Sequence, residues 1–187
     1  MSAFAGQVVV AFQGEPGAYG SVAVEQEWGQ RTVALPCPRF EDVLTAVLRG
    51  AAAFGVLPVQ NSIIGEIPGV AALIAGALVD VTHHLSVEVR HCLLARRGAQ
   101  LDELRQVFSH PAALAQCAGF FAARPWLQAC EAYDTAGAAR AVSDRRQRTE
   151  AAIAHASCAE RYGLEIMMQD IADRGDNVTR FAVLSPR

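Results

Sequence analysis

The chain contains no lysine, so all 16 of its cations are arginines, and its 19 carboxylates leave a formal net charge of −3 at pH 7. A mildly acidic chain lacks the basic surface that nucleic-acid binding requires, and we expect no nucleic-acid partner. Any anionic ligand must therefore be held by arginine, hydroxyl, amide or backbone N–H groups.

The cysteines and histidines lack the spacing of a disulfide framework or a metal site. The five cysteines are odd in number and contain no C-x-x-C pair, which predicts reduced thiols and a cytoplasmic location. His83, His84 and His91 lie close together in the sequence, but no H-E-x-x-H motif accompanies them. We expect neither a metal nor a cofactor.

Membrane-spanning and secretory segments are also lacking. An uncharged run over residues 67–79 is interrupted by Pro68, Gly69 and Gly76, and it is too short to cross a bilayer. No basic residue precedes the apolar stretch that follows Met1, so we expect no secretory signal and no membrane partner. With 52% apolar residues, the chain is typical of a folded globular protein rather than a disordered one.

Short apolar runs alternate with helical patterns along the whole chain. Residues 8–12 are typical of a buried strand and residues 21–28 of a helix. Further along, residues 85–95 predict one extended strand and residues 111–123 one helix that begins at a proline. This alternation predicts an α/β fold with mostly parallel sheets.

Polar residues cluster where the predicted strands give way to helices. Ligands of parallel α/β sheets bind at this edge, where helix N-termini point inward. The four junctions hold Gly14, Gly17, Tyr19, Gly20 and Ser21; then Gln60, Asn61 and Ser62; then Ser109, His110 and Gln116; then Asp134 and Thr135. The set predicts a receptor for a small anion with more than one carboxylate. The alternative for Ser109, Asp134 and Thr135 is ordinary helix N-capping.

The chain lacks the common motifs of nucleotide binding and of nucleophilic catalysis. It has no G-x-G-x-x-G, no Walker A sequence and no G-x-S-x-G elbow, and no Ser-His-Asp set, Cys-His set or regularly spaced carboxylate pair is evident. Any chemistry must therefore depend on positioning and electrostatics.

Six segments carry motifs that are specific as a set, in particular Asn61-Ser62, Ser109-His110-Pro111 and the closing Thr179-Arg180-Phe181. The segments are residues 12–19, 57–65, 109–117, 135–139, 151–164 and 176–181. In this order and over nearly the whole chain, they resemble the catalytic domain of the prephenate dehydratase family.

The resemblance implies a two-lobed, periplasmic-binding-protein-like (type II) α/β architecture with an interlobe cleft. Lobe one would comprise residues 1–82 and 173–187, and lobe two residues 83–172. The family also suggests a homodimer or a higher homo-oligomer.

The resemblance further implies a hydro-lyase of phenylalanine biosynthesis, in the shikimate pathway, which converts the prephenate dianion to phenylpyruvate without a metal or cofactor. Thr179 would donate a hydrogen bond or proton to the departing ring hydroxyl. Substrate binding is expected from Tyr19, Ser21, Asn61, Ser62, Ser109, Gln116, Thr135 and Arg180, with His110 and Phe181 in support. Arg180 has an alternative role as a structural ion-pair partner.

The chain departs from the family pattern at two positions. Gln60 stands where the family usually has Glu, and Gly20 stands where it has Ser or Thr, although Ser21 follows directly. The chain also stops at Arg187, where the family continues into a phenylalanine-binding regulatory domain, so we expect no phenylalanine feedback through such a domain. Two rival functions are the same chemistry on arogenate and a small-anion binding or sensor module without catalysis.

Overall fold

The computed structural model describes residues 7–29 and 32–187, which form two compact units. The first unit runs to Glu88 and takes up the chain again at Asn177, and the second comprises Val89–Asp176. These boundaries lie six and four residues after the expected ones, 82 and 172. Residues 1–6, where lobe one was expected to begin, lie outside the described residues.

The first unit contains one mixed sheet and three helices among its described residues. Its elements are β1 (Val8–Gln13), α1 (Tyr19–Trp28), β2 (Thr32–Cys37), α2 (Phe40–Leu48), β3 (Phe54–Asn61), β4 (Gly65–Glu66), α3 (Val70–Ala75), β5 (Val79–Glu88) and β11 (Val178–Pro186). The strand order is β2-β1-β3-β11-β5, with the short β4 paired to β3. The pattern of apolar residues left β2 unpredicted.

Both faces of this sheet are covered, which explains why its central strands are apolar at successive positions. Val10 and Val56 pack with α1 on one face. Ala11 and Leu57, each one residue later, pack with α2 on the other. All four residues are fully buried, so the first unit has a core on each side of the sheet.

The second unit contains a five-stranded sheet, one strand fewer than the first. Its elements are β6 (Cys92–Arg96), β7 (Gln106–Ser109), α4 (Pro111–Ala115), α5 (Ala118–Ala122), β8 (Gln128–Glu131), α6 (Thr135–Arg145), β9 (Glu150–Ala154), α7 (Ser157–Tyr162) and β10 (Leu164–Met168). The strand order is β10-β6-β9-β7-β8. Its buried core includes Leu93, Leu104, Val107 and Ile153.

Each sheet has one main strand that runs against the others. In the first unit β11 is antiparallel to both β3 and β5, while β1 is parallel to β2 and β3. In the second unit β6 is antiparallel to β9 and β10, while β7 is parallel to β8 and β9. β6 and β11 are the strands that follow the two crossings of the chain between units. The predicted α/β class is thus confirmed, and both of its sheets are mixed, with four parallel and five antiparallel strand pairs among the described residues.

The single strand predicted over residues 85–95 is wrong. β5 ends at Glu88 and β6 begins at Cys92. The chain leaves the first unit at Val89, so the apolar run is divided between two sheets.

The single helix predicted over residues 111–123 is also wrong, because α4 and α5 are separate. The N–H of Asp173 donates to the carbonyl of Gln116 at 2.8 Å, and the N–H of Gly119 donates to the Asp173 carboxylate at 2.9 Å. Asp173 thus binds a backbone group on each side of the break, at the end of α4 and in the first turn of α5.

Some features are not found in the described part of the chain. None of its helices combines the length and apolar character needed to span a bilayer. Across residues 7–29 and 32–187, no three His, Cys, Asp or Glu side chains are grouped so as to hold a metal ion. The five cysteines are free thiols, and burial first, then the charge of Asp173, raises the pKa of Cys117 to about 12.

Candidate active site

Polar side chains of the first unit meet at one edge of its sheet. The carboxyl ends of the parallel strands β1 and β3 lie there, and β11 begins there because it runs antiparallel to β3. The register pairs Thr179 with Asn61, although 118 positions separate them in the sequence. Asn61, Ser62 and Thr179, three of the predicted site residues, are therefore neighbours.

The Asn61 amide has a fixed orientation. Its Oδ1 accepts hydrogen bonds from the backbone N–H groups of Ile63 and Ile64, at 3.0 and 3.1 Å. Two N–H donors can face only the amide oxygen, so Nδ2 must point the other way. It donates to Oδ1 of Asn177 at 2.7 Å and to Oγ1 of Thr179 at 2.9 Å. Asn61 is only 5% exposed, and both of its amide protons are used.

The Thr179 hydroxyl is left with a proton to give. Its oxygen accepts the Asn61 bond, and within residues 7–29 and 32–187 no acceptor receives its own proton. The residue is 8% exposed, so the hydroxyl lies at the margin of the core. A hydroxyl that already accepts a hydrogen bond is polarised and becomes a stronger donor. The geometry presents Thr179 as a donor toward a ligand.

Ser62 and Asn177 hold the beginning of β11. The Ser62 N–H donates to the Val178 carbonyl at 2.9 Å, and the Val178 N–H donates to the Ser62 hydroxyl oxygen at 2.9 Å. Asn177 is buried and binds the Asn61 amide. Sequence reasoning did not single out Asn177, although it lies two residues before Thr179 in one of the matching segments.

The first turn of α1 carries Tyr19 and Ser21. Tyr19 is half-buried against the core, and Ser21 is buried with a hydroxyl that has no hydrogen-bond partner among the described residues. Gly20 lies between them, where an added Cβ would come within 3.2 Å of the Gln13 carbonyl oxygen and 3.3 Å of the Phe12 ring. The close approach of α1 to β1 explains why glycine suits position 20.

Thr179 and Arg180 point to opposite faces of β11. Thr179 and Phe181 are buried, whereas Arg180 is exposed together with its cross-strand neighbour Ser86. Burial lowers the pKa of His84, and the charge of Arg180 lowers it further. The structure therefore brings Arg180 toward His84 and not toward the Thr179 hydroxyl, while Phe181 packs in the core.

Gln60 is the cross-strand neighbour of Arg180 on β3. Its side chain is exposed. A glutamate at this position, which the family usually has, would face the Arg180 guanidinium across the pair.

The second unit also gathers predicted residues at the carboxyl edge of its parallel strands β7, β8 and β9. Ser109 ends β7, is fully buried, and donates from Oγ to the Ile153 carbonyl at 2.6 Å. His110 follows it and caps α4, because its Nδ1 accepts from the Ala112 N–H at 3.2 Å. The N-cap alternative for Ser109 is therefore wrong: its hydroxyl ties β7 to β9.

The N-terminus of α6 is capped by Asp134 rather than by Thr135. Oδ1 of Asp134 accepts from the N–H groups of Ala136 and Gly137, at 2.6 and 3.0 Å. Thr135 is the first residue of the helix and is half-buried, and its hydroxyl has no hydrogen-bond partner in the described chain. The capping alternative is correct for Asp134 and wrong for Thr135.

A buried histidine holds the Gln116 side chain. His91 is 2% exposed, and its Nε2 lies 2.8 Å from Oε1 of Gln116. Burial lowers the pKa of His91, the Gln116 bond opposes that shift, and the charge of His155 adds to it. A neutral His91 donates through Nε2–H, which leaves the amide nitrogen of Gln116 as its donor end. Sequence reasoning considered His91 only as a metal ligand and missed this contact.

The sequence model of the prephenate dehydratase family matches residues 10–187. The curated protein named arogenate dehydratase/prephenate dehydratase 2, chloroplastic, from Arabidopsis thaliana is 39% identical over 96% of this chain and 46% of its own length. The bifunctional N-acyl-homoserine lactone acylase/prephenate dehydratase of Komagataeibacter europaeus is 36% identical over 97% of this chain and 64% of its own.

A solved structure is similar over the same range. The prephenate dehydratase of Arthrobacter aurescens, in complex with L-Phe, superposes with a TM-score of 0.86 and 28% identity. The alignment covers 96% of this chain and 61% of that one. This chain thus spans less than two thirds of the length of each of these three proteins.

Proposed function

The chain belongs to the prephenate dehydratase family, and we propose that it converts prephenate to phenylpyruvate. In this reaction the prephenate dianion takes up one proton and yields the phenylpyruvate anion, carbon dioxide and water. The bond from the ring to its hydroxyl breaks with the electron pair leaving on oxygen. The bond to the ring carboxylate breaks with its electron pair entering the ring, which becomes aromatic.

The Thr179 hydroxyl is the observation that carries the proposal. The departing ring hydroxyl accumulates negative charge as its bond lengthens, so a hydrogen-bond donor aimed at that oxygen lowers the barrier. Thr179 has a proton to give, and Asn61 donates to the same oxygen at 2.9 Å. The Asn61 N–H therefore stabilises the charge that grows on Oγ1 while Thr179 gives its proton away.

The other site residues serve binding and orientation in this proposal. Gln116, whose side-chain oxygen is bound by His91, stays a predicted substrate-binding residue of the second unit. Tyr19, Ser21 and Thr135 add polar groups in the first turns of α1 and α6. Removal of water from the ring carboxylate favours its loss as carbon dioxide.

Three predicted site residues are not assigned a contact with the substrate in this proposal. Ser62 and Ser109 act through the backbone that they hold, since Ser62 bonds Val178 and Ser109 bonds Ile153. A role for Arg180 in binding a carboxylate stays a prediction.

The test compares phenylpyruvate formation from prephenate by the wild type, Thr179→Val and Thr179→Ser at neutral pH, against a blank without enzyme. Valine keeps the shape but removes the hydroxyl, so we expect kcat to fall roughly 10²- to 10³-fold, the usual cost of one transition-state donor. Serine keeps the hydroxyl and should retain much of the activity. Equal activity in the valine variant would refute the role of Thr179, and no wild-type turnover despite prephenate binding would favour a sensor module.

Arogenate is the second candidate substrate, because the Arabidopsis relative is named for both dehydratases. The same three proteins should be assayed with arogenate, whose product under this chemistry is phenylalanine. A higher kcat/KM for arogenate than for prephenate would reassign the substrate and leave the Thr179 mechanism intact.

We also propose that the protein acts in the cytoplasm as a homodimer or higher homo-oligomer. The family resemblance and the five free thiols support these two statements. Light scattering on the purified chain tests the assembly: a monomer at micromolar concentration would contradict it.

A further inference from the structure

We propose that a second site, in the second unit, binds a small anion that carries two or more phosphate or carboxylate groups. A cavity of about 520 Å³ lies there, and its walls include Arg96, Arg97, Ser143, Asp144, Arg146 and Gly163. Nothing in the proposed dehydratase chemistry uses these residues.

The cavity lies at the edge of the sheet opposite to Ser109. β6 runs against its neighbours, so its last residue, Arg96, pairs with Leu164, the first residue of β10. α6 joins the two edges: Asp134 caps its N-terminus and Arg146 follows its C-terminus. Eleven residues of helix span about 16 Å. An anion bound beside Arg146 is therefore well separated from Thr135.

The three arginines of the cavity wall lack carboxylate partners. Within residues 7–29 and 32–187, Arg96, Arg97 and Arg146 make no ion pair. Other arginines of the chain do have a carboxylate within 4.0 Å, namely Arg39, Arg90, Arg140, Arg145, Arg174 and Arg187. The single carboxylate of the cavity wall, Asp144, already faces Arg140 at 3.9 Å.

A purely structural explanation is that these arginines only neutralise the carboxyl ends of α6 and α7, which lie in the same region. Each helix end carries about half a negative charge, and the effect fades within one turn. These partial charges do not take the place of a carboxylate within 4.0 Å, which none of the three arginines has among the described residues.

The walls of the cavity are held in place before any ligand arrives. Ser143 Oγ donates to the Tyr162 carbonyl at 2.7 Å and so ties the end of α6 to the end of α7. Arg146 adopts φ 57° and ψ 24°, a left-handed backbone conformation that residues other than glycine rarely adopt. Arg96 is fixed at the end of a strand. Such preorganisation lowers the cost of binding.

The chemistry of the wall identifies the class of ligand. Guanidinium groups form paired, charge-assisted hydrogen bonds with phosphate and carboxylate oxygens. Three arginines around one cavity of this size suit a molecule such as a diphosphate or a tricarboxylate rather than an anion with a single charged group. Pyrophosphate and citrate are therefore suitable probes, one for each kind of oxygen.

The test is isothermal titration calorimetry of the full chain with pyrophosphate and, separately, with citrate, at low ionic strength. We expect saturable binding of one anion per chain that weakens with added salt. Arg146→Gly should weaken it about tenfold or more, because a charge-assisted bond is lost. Glycine suits the left-handed backbone, so this variant should fold normally. Arg96→Gln and Arg97→Gln should weaken binding in the same way.

Arg49→Gln is the matched control. Arg49 is exposed and makes no ion pair among the described residues, but it lies at the end of α2 in the first unit. The Arg49→Gln variant should bind pyrophosphate and citrate with the affinity of the wild type. The proposal is overturned if neither probe binds, or if the Arg96, Arg97 and Arg146 variants bind as tightly as Arg49→Gln. These outcomes are independent of whether the chain has dehydratase activity.

Discussion

Replacing Asn61 by aspartate changes one amide group into a carboxylate with almost no change in shape. The new side chain keeps an oxygen for the N–H groups of Ile63 and Ile64. It cannot donate, so the bond to Asn177 at 2.7 Å becomes a contact between two acceptors. The bond to Thr179 at 2.9 Å can survive only if Thr179 turns its own proton toward the carboxylate.

The expected loss of stability follows from these contacts. One buried hydrogen bond is lost, worth about 1 kcal/mol, and an acceptor is left facing another acceptor, which costs about 1–3 kcal/mol. We therefore expect Asn61→Asp to lower the free energy of unfolding by roughly 2–4 kcal/mol at pH 7. We expect burial and the facing Asn177 oxygen, to which only a protonated carboxyl can donate, to raise the pKa of the new group in the folded state more than the two N–H donors lower it. The loss should shrink as the pH falls toward 5 and grow as it rises through that pKa.

Activity should fall as well, because the Thr179 proton would be drawn to the carboxylate instead of the substrate. We expect kcat to fall to about the level of Thr179→Val, roughly 10²- to 10³-fold below wild type. Urea unfolding at pH 5 and pH 7 and phenylpyruvate assays on the same samples measure both effects. Gln60→Glu is the matched control, since Gln60 is exposed on the same strand, and its stability should change by about 0.5 kcal/mol or less. A stability loss independent of pH, or wild-type kcat, would refute the reasoning.

Three further predictions concern the second unit. Because the pKa of His91 is lowered in the folded state, unfolding free energy should decline as the pH drops below about 6.5, by at most about 1.4 kcal/mol per pH unit. His91→Gln keeps a donor for Gln116 but cannot take up a proton, so its unfolding free energy, measured in urea, should decline less as the pH falls. A decline equal to that of the wild type would contradict this role of His91. Gly137→Ala places a Cβ 2.5 Å from Cζ of Tyr133, but this exposed side chain can turn away, so the higher helix propensity of alanine should raise the melting temperature by a few degrees. A lower melting temperature would show that the Tyr133 ring cannot move. Asp134→Ala removes the α6 cap and should cost about 1–2 kcal/mol in denaturant unfolding, whereas Asp134→Asn should cost little; an equal loss in both would exclude capping as the cause.

The fold class could be read from the sequence because alternating strands and helices have distinct apolar periods. Boundaries failed where long-range contacts override the local pattern. Residues 85–95 are uniformly strand-like, yet the chain changes sheets at Val89. Residues 111–123 are uniformly helical, yet Asp173 bonds the backbone at Gln116, and local propensity contains no information about that contact.

The candidate site, like the fold, could be predicted from the sequence only in part. The resemblance of short motifs predicted Asn61 and Thr179 as site residues, and the strand register explains why they lie side by side. His91 and Asn177 were missed because their roles depend on partners 25 and 116 residues away. Side chains alternate along β11, which places Arg180 on the face opposite to Thr179; a motif match alone does not take this alternation into account.

The central place of β11 in the first sheet sets the order in which a nascent chain can fold. β3 and β5 are made before residue 89, but the strand that joins them follows only after the 88 residues of the second unit. At typical rates of synthesis, this interval lasts on the order of ten seconds. The second unit is continuous and can fold first, while the first unit waits on the ribosome with two unpaired strand edges. Chaperone dependence and aggregation during expression should therefore originate mainly in the first unit.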